Sequence, residues 1–174
     1  MGTLVITVIG DDRAGLVSAL ADIIAEHDGS WGRSQLAELA GKFAGIVTVE
    51  VPDERSEALV AALEPLKGVL ETSVHSVADR GTAPDVEQQH QLELVGNDRP
   101  GIVKEISGVL SRHDVTIDEL STRTIPAPMT GGELFEASIT LRPSAQTRLE
   151  AVRADLEELA GELMVDITLE GQDA

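Results

Sequence analysis

The sequence predicts an α+β protein made of two copies of one β-α-β-β-α-β unit. Three observations predict it. Short apolar runs that suit strands alternate with segments of helical spacing, in the same order in each half. The motif Gly-x-Asp-Arg-x-Gly occurs twice, in Ile9-Gly-Asp-Asp-Arg-Ala-Gly-Leu-Val17 and in Val95-Gly-Asn-Asp-Arg-Pro-Gly-Ile-Val103. Downstream of it, Ile102, Val103, Ile106, Val109 and Leu110 each stand 86 positions after Leu16, Val17, Leu20, Ile23 and Ile24, and His113-Asp114 repeats His27-Asp28. Internal repetition of this kind marks a duplicated structural unit.

The first half begins with a β-rich run, Thr3–Ile9, that enters the turn. Leu16, Val17, Leu20, Ile23 and Ile24 then make the apolar stripe of a helix that ends near His27-Asp28-Gly29. A second strand spans Ser30–Leu39, Gly41 with Lys42 suits a hairpin turn, and a third strand spans Phe43–Val51. In that strand Val47, Val49 and Val51 share one face, and Thr48 and Glu50 the other. Pro52-Asp53 opens a second helix with Leu59, Leu63 and Leu66 as its buried stripe, Gly68 ends it, and Val69–Val77 is the fourth strand. The stretch from Ala78 to Gln89 is polar and aperiodic, which predicts domains at 1–78 and 90–171 joined by a linker at 79–89.

The second half repeats the order. Its strands are expected at Gln91–Val95, Val115–Ile125, Leu134–Leu141 and Leu163–Leu169, with Leu149, Val152, Leu156 and Leu159 on the last helix. Between its second and third strands lies Pro126-Ala-Pro-Met-Thr-Gly-Gly132, where the first half has a short turn. It reads as a tolerated surface insertion or as a loop that covers a ligand or meets a partner. Each half should form a four-stranded antiparallel sheet with two helices on one face, a split β-α-β or ferredoxin-like unit. The two sheets are expected to lie side by side. Units of about 80 residues bury a modest share of their surface, so association into a homodimer is expected too.

Composition narrows the function. The formal charge is −18, from 13 basic and 31 acidic residues, and no basic cluster occurs anywhere. Proteins that hold nucleic acid neutralise phosphates with Lys and Arg, so direct binding to nucleic acid is not expected. Trp31, Phe43 and Phe135 are the whole aromatic complement, too few for a base-stacking platform. There is no Cys, and no run approaches the ~20 apolar residues of a membrane helix. The first residues read as a strand and not as a signal peptide, so the expected location is the cytoplasm.

At the repeated turn, Gly10 and Gly96 suit either a positive φ or close packing. Pro100 suits the first turn of a helix, and Asp12 and Asp98 are placed to accept bonds from its first free N–H groups. A capped turn with no further role accounts for these features as well. Known catalytic patterns are missing: the turn lacks the third glycine of a dinucleotide fingerprint and the Gly-Lys-Ser/Thr of a phosphate loop. No Gly-x-Ser-x-Gly elbow occurs. His27, His75, His90 and His113 are scattered, without metal-ligand spacing, and two of them suit helix C-termini. No enzyme activity, cofactor or metal is expected. A helix N-terminus favours a carboxylate, and a neighbouring Asp can receive an ammonium group. Asp12, Arg13, Asp98 and Arg99 thus suit a zwitterion such as a free amino acid, unless Asp98 and Arg99 pair with each other or across a subunit interface.

The strand order, together with Gly-x-Asp-Arg-Pro-Gly at the first strand-helix junction, resembles the ACT domain, a regulatory module that binds small ligands, mostly amino acids. The tandem pair, with Leu39-Ala-Gly-Lys-Phe-Ala-Gly45 and Ser121-Thr-Arg-Thr-Ile-Pro-Ala-Pro-Met129, is similar to the glycine cleavage system transcriptional repressors. The resemblance implies ligand binding at an interface between ACT domains, contacted by the first strand-helix loop. Carried over to this sequence, the loop residues are Gly96, Asn97, Asp98, Arg99, Pro100 and Gly101, and Gly10, Asp11, Asp12, Arg13 and Gly15. The first copy departs from the pattern at Ala14, where the family has Pro. A small amino acid such as glycine as ligand, and a regulatory protein as partner, follow from the same resemblance. The alternatives are a ligand-free interaction module and an acidic hydrolase or transferase.

Overall fold

The computed structural model describes residues 1–77, 89–127 and 131–171. The chain divides into two compact units, Met1–Gly81 and Thr82–Ala174. Residues 78–88, most of the expected linker, and Pro128–Thr130 of the inserted loop lie outside the described residues.

In the first unit the order is β1 (Gly2–Asp11), α1 (Leu16–Glu26), β2 (Ser30–Leu39), β3 (Lys42–Val51), α2 (Asp53–Leu63) and β4 (Leu70–Val77). In the second it is β5 (His90–Asn97), α3 (Ile102–Arg112), β6 (Val115–Pro126), β7 (Glu133–Pro143), α4 (Leu149–Leu163) and β8 (Val165–Gly171). The sheets run β2-β3-β1-β4 and β6-β7-β5-β8, and every pairing is antiparallel. This is the expected ferredoxin-like β-α-β-β-α-β unit, twice over.

Strand alternation assigns the faces. Leu4, Ile6 and Val8 of β1 and Val47, Val49 and Val51 of β3 are buried under the helices, where they meet Leu16, Leu20, Ile24, Leu59 and Leu63. Leu92, Leu94, Ile139 and Leu141 form the matching core of the second unit, against Ile102, Ile106, Leu110, Val152 and Leu156. Val17 and Val103 depart from the expected stripe, with 46% and 39% of their surface exposed, because each sits one residue past the buried ridge at the start of its helix. Leu149 is also partly exposed. Leu66 falls in a 3-10 turn after α2 (Glu64–Gly68) and packs against the core from there.

Several boundaries differ from the sequence reading, among them the ends of β1 and β5, which run on to Asp11 and Asn97. The hairpin turn is Ala40-Gly41, both at positive φ, so that Lys42 already belongs to β3 and pairs with Leu39. A two-residue turn with two positive φ values matches the twist of the flanking strands. Leu163 ends α4 instead of opening β8, and Met164 supplies the left-handed residue between them. The run Leu163-Met-Val-Asp-Ile has no period of its own that could separate helix from strand there. The short ends of the inserted loop are tied by a hydrogen bond from the Ala127 N–H to the Gly132 carbonyl at 2.8 Å. Among the described residues no helix is long and apolar enough to cross a membrane.

Gly10 and Gly96 have the same role in the two units. A Cβ on Gly10 would lie 2.4 Å from the Val69 carbonyl oxygen, and one on Gly96 would lie 2.2 Å from Val165 Cγ1. Close packing against the start of the last strand, and not positive φ, is therefore what requires glycine. Across the sheet, Phe43 pairs with Gly10 and Phe135 with Gly96, and both rings lean on the cores. Gly10→Ala is expected to lower the unfolding free energy by about 1–3 kcal/mol, since backbone must move to admit the methyl group. Gly68→Ala, with nothing within 4 Å, should change it by less than about 0.5 kcal/mol. Parallel urea unfolding curves of the two variants check the contrast.

Candidate functional site

The repeated motif forms the junction between the first strand and first helix of each unit. Asp11 and Asn97 are the last residues of β1 and β5, and the turn proper runs through Asp12–Gly15 and Asp98–Gly101. Gly15 and Gly101 are the N-cap residues, left-handed at φ 92° and 96°, a conformation in which a side chain would be strained. Pro100 thus precedes the helix and is not in its first turn. Neither helix has a side-chain cap, so Asp12 and Asp98 do not take the capping role expected of them. The glycine cap stands three residues beyond each aspartate and opens the helix in its place. It is the backbone of these aspartates that is held. The Asp12 N–H donates to the Gly41 carbonyl at 2.9 Å, and the Asp98 N–H to the Glu133 carbonyl at 2.9 Å. Each turn is thereby fastened to the hairpin of its own sheet.

Side chains at the two junctions differ. In the first unit a cavity of about 310 Å3 opens at the end of β1, on the sheet face turned away from the helices. Asp11, Arg13, Lys42 and Glu71 bring four charges to it, and Ile9 and Val69 bring apolar surface. The Lys42 ammonium donates to the Asp11 carboxylate, which antiparallel register sets directly opposite. That bond and its charge, helped by Arg13, hold the Asp11 carboxyl below its ordinary range. Among the described residues Arg13 and Glu71 make no hydrogen bond or ion pair.

In the second unit the matching positions are Asn97 for Asp11, Leu134 for Lys42 and Asp166 for Glu71. Arg99, the counterpart of Arg13, lies 3.4 Å from both carboxylate oxygens of Glu105 in the first turn of α3. It does not pair with Asp98. The first unit has Ala19 where Glu105 stands, so Arg13 has no such neighbour. The structure places Asp12, Arg13 and Gly15 in one turn with Asp11 at the strand end before it, and Lys42 and Glu71, which sequence reasoning did not single out, also line the cavity. The antiparallel pairing of Lys42 with Asp11 was a signal that could have found the first of them.

The histidines at helix ends have structural partners. His27 Nδ1 lies 2.8 Å from the Ile23 carbonyl, and His113 Nε2 lies 2.8 Å from Asp155 Oδ2 on α4. Among the described residues no three His, Asp or Glu side chains gather as a metal set would.

Fold order, glycine-opened helices and the anchored turn define a tandem of small split β-α-β domains. Family comparison matches ACT domain profiles to residues 2–76 and 90–161. The chain belongs to the ACT domain family. It is 26% identical over 171 residues to the glycine cleavage system transcriptional repressor of Escherichia coli K12, spanning 97% of this chain and 87% of that protein. A UPF0237 protein of Methanopyrus kandleri is 31% identical over 83 residues, 47% of this chain and 86% of that protein. A solved structure of an unknown protein from Galdieria sulphuraria superposes with a TM-score of 0.85 at 29% identity, covering 97% of each chain.

The Asp11–Lys42 contact gives a pH-dependent prediction. A carboxyl held below its unfolded value contributes stability that is fully present above about pH 3.9 and is lost as pH falls through the lower, folded value. Lys42→Met should move the Asp11 titration midpoint upward, toward the ordinary range. Carboxyl NMR shifts followed from pH 7 to pH 2 check the direction, and an unmoved midpoint would mean that the pair does not persist in solution.

Proposed function

We propose that this chain is a non-enzymatic, cytoplasmic regulatory protein that binds a small amino acid at its strand-helix junctions and acts on transcription or metabolism through a protein partner. Membership of the ACT family and likeness to a transcriptional repressor support the regulatory part. The observation that carries the ligand part is the first-unit cavity, which presents unpaired charge of both signs on an ACT framework. In the second unit Asn97, Asp98, Arg99, Pro100 and Gly101 form the corresponding turn, so the reading includes both loops. The charge of −18 argues for a protein partner as the route to any transcriptional effect, because phosphate backbones would repel this surface. Association into a homodimer belongs to the reading, since β2, β4, β6 and β8 are edge strands of their sheets.

A second reading, a ligand-free interaction module of ACT type, draws on the Arg99–Glu105 pair, which satisfies the second junction internally. A thermal-shift panel with the common amino acids at millimolar concentration separates the two. A ligand at about 100 times its dissociation constant stabilises the native state by ~2.7 kcal/mol, or roughly 5–11 °C for a chain of this size. A selective rise with glycine or another small neutral amino acid is expected. A flat panel on the verified folded protein would favour the interaction module.

A further inference from the structure

We propose that the chain forms a two-fold dimer by packing the helix-free face of the first-unit sheet against the same face of a second copy. This inference rests on the homodimer of the reading above and moves its contact from the strand edges to a face. Strand alternation puts Ile9, Leu39, Ile46 and Val77 on that face, and Ile9 and Ile46 near its middle are 49% and 42% exposed. On the equivalent face of the second unit, Val95 is the one exposed large apolar side chain among the described residues. Polar groups there satisfy one another: Gln91 donates to Ser138 at 3.0 Å, Ser138 to Glu93 at 2.6 Å and Thr140 to Gln91 at 3.1 Å. Water suits the second face, whereas covering the first removes apolar surface from water.

The charge pattern along the strands selects a second copy as the occupant. Register sets Gln35, Ile46, Thr7 and Ser73 in one row across the middle of the face. A two-fold axis along that row turns the strands of one copy antiparallel to those of the other, within the aligned range of face-to-face sheets. It sets Ile46 over Ile46 of the second copy, and residues equally far to either side of the row over each other. Lys42, four residues before Ile46, then faces Glu50, four residues after it. Glu71 and His75, two residues either side of Ser73, face each other too, as do Ile9 and Val5. Each opposite pair occurs twice by symmetry. Lys42 has three donors, so it can meet Glu50 of the second copy and keep its bond to Asp11. The same operation about the row of Ser138, Glu93 and Thr168 in the second unit sets Glu93 over Glu93 and Asp166 over Glu170, where like charges repel. The first face measures roughly 30 Å along its strands and about 19 Å across them, at ~3.3 Å per residue and ~4.8 Å per strand. Two copies together contribute about 1,100 Å2, above the ~1,000 Å2 that a specific interface clears.

The test is sedimentation equilibrium of the full chain over a micromolar concentration range, which gives the dimer dissociation constant. Lys42→Glu and Glu50→Lys should each weaken the dimer about tenfold or more, because two contacts in every dimer become like-charged. The double variant exchanges the charges and should return to within about threefold of wild type, a recovery that misfolding would not give. Ile46→Asp, which sets two carboxylates face to face on the axis, should leave a monomer. Glu170→Lys, on the second face, should leave the constant within about twofold. Ile46→Cys treated with a short bis-maleimide should link copy to copy, in a chain with no other cysteine. A dimer that neither the charge variants nor Ile46→Asp weaken would overturn the inference while the homodimer stands on its strand edges. Single variants that weaken the dimer without recovery in the double variant would overturn the two-fold pairing. A wild-type chain that stays monomeric throughout would overturn the inference and the homodimer together, and would leave the face to a different partner.

Discussion

In each unit the end of the first strand passes the start of the last at a position that has no side chain. Gly10 and Gly96 let Val69 and Val165 approach to within what would be a clash for any Cβ. The missing side chains also leave a gap in the helix-side layer that Phe43 and Phe135 cover from the neighbouring strand. The turn that follows is held to the hairpin by a backbone bond and not by its side chains. The framework therefore needs nothing from the charged residues of the motif, which are left available for other contacts.

What those residues do differs between the units, and small changes account for it. A glutamate on the first turn of α3 takes the arginine of the second motif. An alanine at the same place in α1 leaves the arginine of the first motif unengaged. A lysine opposite Asp11 converts the end of β1 into a neutral pair, and the leucine opposite Asn97 does not. Exposed ion pairs of this kind add little to stability. Their consequence lies in the charge that each junction presents to a ligand.

Much of the fold was legible in the sequence because its period is strong. Val47, Val49 and Val51 alternate so cleanly with Thr48 and Glu50 that only one face could be buried. The 86-residue repeat placed the second unit once the first was read. Boundaries failed where two structures share one composition, as at Leu163-Met164, where an apolar run continues from helix into strand. The site was half legible. The turn residues carry a motif, whereas Lys42 and Glu71 reach the cavity from strands 31 and 60 positions away from Asp11, through sheet register alone. The capping expected of Asp12 and Asp98 failed because Gly15 and Gly101 can take a left-handed conformation that opens the helix without them.

Where a small amino acid touches the chain decides between the two readings. Backbone amide NMR spectra recorded during titration with glycine, and again with serine, would locate it. The predicted result is a set of saturable shifts centred on the strand-helix junctions, Asp11–Gly15 and Asn97–Gly101. Shifts confined to residues away from both junctions would contradict it.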